Sequence, residues 1–139
     1  YIFNTFLNLS IIDSKYVKSD EPGVEGKEVE FVPKYNIKYG IKFGYKNFTS
    51  YLQYSYLASQ FSDSSNSVES NLSGVIGQIP AYDILDLSMN YKLGKIKLET
   101  GVNNILDTSY FTRRATGYPG PGIIPSPPRN YYLTIQYKF

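Results

Sequence analysis

Apolar and polar residues alternate one by one along much of the chain. From Tyr131 to Phe139, Tyr131, Leu133, Ile135, Tyr137 and Phe139 fall on one side, and Tyr132, Thr134, Gln136 and Lys138 on the other. From Tyr35 to Tyr45, Tyr35, Ile37, Tyr39, Ile41, Phe43 and Tyr45 oppose Asn36, Lys38, Gly40, Lys42 and Gly44. A side-chain period of two over such lengths predicts strands with one apolar face. Residues 1–12, 48–60, 84–93 and 95–103 follow the rule less strictly. Their apolar faces carry Phe3, Leu7, Leu9 and Ile11; Phe48, Leu52, Tyr54, Tyr56 and Ala58; Leu85, Leu87, Met89, Tyr91 and Leu93; and Ile96, Leu98, Thr100 and Val102. The expectation is six strands and no helix.

The predicted connections alternate in length. Lys46-Asn47 and Gly94-Lys95 suit two-residue hairpins. The others are long, at about residues 15–33, 61–80 and 106–129, the second rich in Ser and Asn and the third in Gly and Pro. Loops of that length are uncommon in compact domains and often functional. Tight turns at one end and long loops at the other are the pattern of an outer-membrane barrel. A ten-residue strand spans about 33 Å, or about 24 Å along the membrane normal at a tilt near 45°, which matches the apolar band of such a barrel. Tyr45, Phe48, Tyr91, Tyr137 and Phe139 fall at the tight-turn end, and Tyr35, Tyr56 and Tyr131 near the long-loop end. Two aromatic girdles are what a bilayer-spanning strand set needs. The fold class expected is all-β, a transmembrane antiparallel β-barrel. A soluble β-sandwich or lipocalin-like barrel also alternates, but does not call for girdles and asymmetric loops together.

Composition sharpens this picture. Aromatics make up 17% of the 139 residues and charged residues only 19%, so the chain is aromatic-rich without being strongly apolar. With no Cys and no His, the chain itself supplies no Ser-His-Asp triad, cysteine nucleophile, zinc finger or haem ligand of those types. A net charge of +2 is too mild to argue for nucleic acid. No stretch approaches the ~20 apolar residues of a membrane helix. The chain begins with Tyr1 already in a strand pattern, as expected of a processed chain or a piece of a longer one. Single-chain barrels start at about eight strands, and six leave two unpaired edges that lipid does not tolerate. Further strands are therefore expected from sequence beyond these residues or from partner chains.

The C-terminal third carries a resemblance. Gly101-Val102-Asn103-Asn104-Ile105-Leu106-Asp107, followed by Tyr110, resembles the penultimate-strand signature of TonB-dependent outer-membrane receptors. Tyr131 to Phe139 resembles their last strand, and Tyr137 with the terminal Phe139 resembles the signal read by the barrel-assembly machinery. Residues 110–123 (Y-F-T-R-R-A-T-G-Y-P-G-P-G-I) resemble the last extracellular loop of ferric-citrate-type siderophore receptors. The resemblance implies a plugged barrel of about 22 strands, of which residues 1–139 would be the C-terminal six, with the plug and upstream strands absent. It implies an outer-membrane receptor and transporter of a Gram-negative bacterium. Such a receptor binds an extracellular iron chelate, ferric citrate or another siderophore, and imports it with energy delivered by TonB. It also implies outer-membrane lipid and TonB as partners, the latter through the absent N-terminal region. No enzymatic activity and no cofactor is implied. Importers of oligosaccharide, peptide or cobalamin, a small adhesin or structural barrel, and a barrel lipase with its His upstream are the alternatives.

Within that frame, Arg113 and Arg114 are the ligand-binding candidates, since guanidinium forks pair with carboxylates and a ferric citrate chelate is anionic. Adjacent residues of an extended segment point opposite ways, so only one of the two is expected to face the ligand. The bland alternative pairs them with loop acids such as Asp107. Lys38, Lys42, Lys92, Lys97 and Glu99, on the polar face, are expected to line the lumen. Asp86 and Glu99 sit on neighbouring predicted strands as carboxylates, with Lys92 and Lys97 near enough to explain them as ion pairs. No metal-ligating set is expected, and Asp63 with its following serines lacks a calcium-loop spacing.

Overall fold

The computed structural model describes residues 1–118 and 120–139; Pro119, inside the loop string quoted above, lies outside the described residues. Eight strands follow in order: β1 (Ile2–Ile11), β2 (Tyr35–Tyr45), β3 (Phe48–Leu57), β4 (Tyr82–Leu93), β5 (Ile96–Asn103), β6 (Phe111–Ala115), β7 (Gly122–Pro125) and β8 (Asn130–Tyr137). The six long ones form one antiparallel sheet in the order β1-β2-β3-β4-β5-β8, and β6 and β7 form a separate two-stranded ribbon. The six expected strands are all present. Two differences from expectation are informative. The third strand stops at Leu57 rather than 60: the Ala58 amide makes a last bond to the Tyr35 carbonyl, and the chain then enters a loop closed by the Gln60–Ile79 bridge. The third long connection, expected to be irregular, holds the β6–β7 ribbon with an irregularity between Phe111 and Arg113.

Register shows why the alternation matters. One unbroken row crosses all six strands: Thr5, Ile41, Leu52, Leu87, Val102 and Tyr131 are successive partners. The next row is polar or small, running Asn4, Lys42, Tyr51, Ser88, Gly101 and Tyr132. A slip of one residue at any ladder would exchange the two faces. The apolar face has nothing packed over it: Phe3, Leu7, Leu133 and Ile135 are about two-thirds exposed. Among the described residues the buried apolar side chains are only Val24, Ala58, Ile79 and Ala115, none of them on that face of the sheet interior. A sheet this apolar on one side, with no second layer among the described residues, suits contact with lipid there.

On the polar face the rings of Phe6, Tyr51 and Tyr132 break the alternation, and two of them face glycines. Phe6 pairs with Gly40 and stacks at 6.0 Å on Tyr51, and Tyr132 pairs with Gly101. Each ring lies across the facing glycine and occupies the space a Cβ would take. At Gly40 the three nearest atoms a Cβ would meet all belong to the Phe6 ring. At Gly101 a Cβ would come within 2.6 Å of the Leu87 carbonyl oxygen as well as 2.5 Å of the Tyr132 ring. In the whole protein, Gly101→Ala is therefore expected to destabilise by about 1–3 kcal/mol through overpacking, and Gly40→Ala by less because the nearest obstacle there is a side-chain ring and not backbone. Urea unfolding of the whole protein in lipid vesicles, followed by loss of its heat-resistant gel mobility, measures both.

Candidate ligand-binding site at the long-loop end

Three loops gather at one end of the sheet: loop A (12–34), loop B (58–81) and loop C (104–129, containing β6 and β7). Loop B lies between the other two. To loop A it is joined by the Phe31 amide donating to the Phe61 carbonyl at 2.8 Å and by Lys27 Nζ donating to the Ser65 carbonyl at 2.6 Å. Asn66 bridges to the Glu28 backbone in both directions, accepting from the amide at 2.7 Å and donating to the carbonyl at 2.8 Å. Within loop A, the Tyr16 hydroxyl donates to Glu30, and that bond holds the phenol pKa above its ordinary value.

Loop B is hydrogen-bonded to loop C through the Arg114 side chain. Arg114 donates from Nη1 to the Gly74 carbonyl at 2.7 Å and to Ser70 Oγ at 3.1 Å, and from Nη2 to the Gln78 carbonyl at 2.9 Å. Its guanidinium also sits 5.1 Å from the centroid of the Phe111 ring. Arg114 is only 9% exposed, and Arg113, its neighbour, is exposed. The two point opposite ways, as an extended segment dictates.

All three loops border one open cleft of about 710 Å³. Phe31 comes from loop A; Ser62, Asp63, Val75 and Ile76 from loop B; Thr112, Arg113, Arg114 and Thr116 from loop C. Two arginines against one aspartate leave the lining net positive. Hydroxyls from Ser62, Thr112 and Thr116 supply further polar contacts, and Phe31, Val75 and Ile76 supply an apolar wall. Such a cleft suits a small anion with some apolar surface.

The loop acid offered as a partner for these arginines is engaged elsewhere. Asp107 accepts from the Arg129 amide at 3.0 Å and lies 3.5 Å from its guanidinium. Asp86 and Glu99 do not form a carboxylate pair. Glu99 stands opposite Asn90, not Asp86, and binds Lys97 at 2.6 Å, while Asp86 Oδ1 accepts from the Asn104 amide at 2.8 Å. Lys38, Lys42, Lys92 and Lys97 all lie on the polar face by register, Lys92 directly opposite Lys97. Tyr137 and Phe139 meet edge-to-face at 5.1 Å at the tight-turn end.

The asparagine-rich signature has a local explanation. Asn104 is 3% exposed and adopts φ 54°, a left-handed conformation that asparagine tolerates better than most residues. Its side chain closes a turn, Nδ2 donating to the Thr108 carbonyl and Oδ1 accepting the Thr108 amide, both at 3.0 Å. That turn launches loop C from the end of β5.

A long-stranded antiparallel sheet, apolar on one side and crowned by ordered loops at one end, is a section of a membrane-spanning β-barrel wall. The comparisons agree: the family described as TonB dependent receptor-like, beta-barrel matches residues 2–105. The chain belongs to this family. The ferric citrate transporter FecA, in its unliganded form, is 30% identical with a TM-score of 0.78, over 86% of this chain and 18% of FecA. The siderophore receptor PiuA from Acinetobacter baumannii shares the fold at 19% identity, with a TM-score of 0.77 over 99% of this chain and 20% of PiuA. The ferric yersiniabactin uptake receptor FyuA from Yersinia pestis does so at 17% identity, with a TM-score of 0.78 over 99% of this chain and 21% of FyuA. The chain thus spans about a fifth of the length of the receptors it matches.

Replacing Asn104 by Ala removes the turn's side-chain bonds and leaves the half-buried Thr108 backbone groups without those partners. The expected cost is about 1–3 kcal/mol, with loop C loosened first. Limited proteolysis of the whole receptor should cut within 105–129 faster in Asn104→Ala than in the parent.

Proposed function

We propose that this chain is the C-terminal part of the barrel domain of an outer-membrane receptor, complete at about 22 strands with a plug in its lumen, and that the receptor binds an iron chelate outside the cell and imports it with energy delivered by TonB. The tight turns then face the periplasm and loops A, B and C face outward. The receptor is a transporter and not an enzyme. Lys38, Lys42, Lys92 and Lys97, with Glu99, line the lumen and meet the plug or bound water. Tyr137 and Phe139 present the signal taken by the barrel-assembly machinery.

Ferric citrate is the ligand this reading favours. The observation that carries it is Arg113, exposed at the rim of a cleft built by all three loops and net positive in its lining. A carboxylate-rich ferric chelate carries the complementary charge, and a guanidinium binds carboxylates with two parallel bonds. The 30% identity to a ferric citrate transporter supports the same choice. Truncating Arg113 to Ala in the whole receptor should weaken ferric citrate binding by about tenfold or more, the worth of one charge-assisted contact, with barrel stability unchanged. Equilibrium binding on purified receptor in detergent decides it, and unchanged affinity removes Arg113 from the site.

A further inference from the structure

Arg113 and Arg114 are adjacent in sequence, yet the structure gives them different surroundings. Arg114 is buried although it borders the cleft, and its guanidinium is largely engaged within the protein. Nη1 and Nη2 are occupied by loop B, and Nε is buried with no hydrogen-bond partner in the protein. Among the described residues no carboxylate lies within ion-pair distance of it. Three of the five guanidinium hydrogens of Arg114 are thus spent on loop B, and a fourth, on Nε, is buried.

The carbonyls Arg114 does hold are placed in a telling way. Gly74 and Gln78 bracket residues 75–77, and Val75 and Ile76 of that segment, with Phe31, supply the apolar part of the cleft that Arg113 also lines. The same short segment is tied from the other side. Asn71 Oδ1 accepts the Ile76 amide at 3.2 Å, and Ser62 Oγ donates to the Gly77 carbonyl at 2.8 Å. Gly77 has φ +132°, and a Cβ there would come within 3.2 Å of Arg114 Nη2 and 2.9 Å of Ser70 Cα. Only a glycine leaves room for the guanidinium to sit between the two carbonyls. Gly74 in turn packs against loop C, where a Cβ would lie 3.3 Å from Gly122 Cα.

We propose that Arg114 is a positioning residue: a latch that fixes the 74–78 segment of loop B to the β6–β7 ribbon, so that the two loops form one wall of the ligand cleft, while Arg113 alone meets the ligand. This rests on the reading of the cleft as the chelate site. A lysine cannot replace Arg114 in this role. One ammonium is a compact point charge, whereas the planar fork reaches both carbonyls at once. The charge of Arg114 is thus not what the site uses; its shape is.

The test uses the whole receptor with three single variants, Arg114→Lys, Arg114→Gln and Arg113→Gln. Amide hydrogen exchange across residues 70–78, measured without ligand, should quicken about tenfold or more in both Arg114 variants, since each loses at least one charge-assisted bond, and should stay at the parent rate in Arg113→Gln. Ferric citrate affinity should fall in all three, with Arg114→Lys no better than Arg114→Gln. Parent-like exchange in Arg114→Lys overturns the latch, and so does parent-like affinity in that variant alongside weakened binding in Arg114→Gln, because charge would then suffice. If the parent receptor itself does not bind ferric citrate, the proposed ligand fails, and the exchange rates still decide the latch.

Discussion

A backbone placed in hydrocarbon must satisfy every amide and carbonyl within the protein, and the face it turns to lipid must be apolar. An antiparallel sheet of eight- to twelve-residue strands with a period-two pattern meets both demands at once. The row from Thr5 through Ile41, Leu52, Leu87 and Val102 to Tyr131 is that constraint written across six strands. Because one residue of slip would turn Lys38 and Lys42 to lipid and Ile37 and Ile41 inward, the register is fixed by what surrounds the sheet. The glycines opposite Phe6 and Tyr132 serve the same end, letting large rings fill the polar face without disturbing the ladder.

The rigid wall in turn anchors the loops. Each of loops A, B and C leaves from the end of a paired strand, and each is then tied to its neighbour by a few bonds. Asn66 joins B to A, and Arg114 joins C to B. The cleft between them is polar where loop C faces it and apolar where Phe31, Val75 and Ile76 do. Few apolar side chains are buried here, so backbone hydrogen bonds and one buried guanidinium carry much of the order. Regions held this way open more readily than a packed core, as the proposed ligand cleft would require.

The sheet was legible in the sequence because its cause is periodic. Tyr35–Tyr45 and Tyr131–Phe139 alternate so strictly that neither strand nor facing was in doubt. The ribbon was not legible. Phe111–Ala115 reads F-T-R-R-A with no alternation, and Gly122–Pro125 ends in a residue that sheets exclude. Arg114's partners were out of reach for another reason. They are two carbonyls and a hydroxyl from residues 36 to 44 positions away, and backbone carbonyls leave no trace in residue identity. Gly40 and Gly101 held a readable signal: a glycine in the middle of a strand marks a close approach, and each stands opposite an aromatic residue that breaks the polar face.

The central claim is that the odd-numbered face of β2 meets lipid and the even-numbered face meets the lumen. The chain has no cysteine, so single cysteines can be introduced one at a time from Ile37 to Lys42 and spin-labelled in the whole receptor in lipid vesicles. Accessibility to oxygen, which partitions into the bilayer, should peak at 37, 39 and 41 and fall at 38, 40 and 42, with a water-soluble nickel chelate low at 37, 39 and 41. Uniform water accessibility along the odd-numbered positions, or oxygen peaks at the even ones, would contradict a lipid-facing barrel wall.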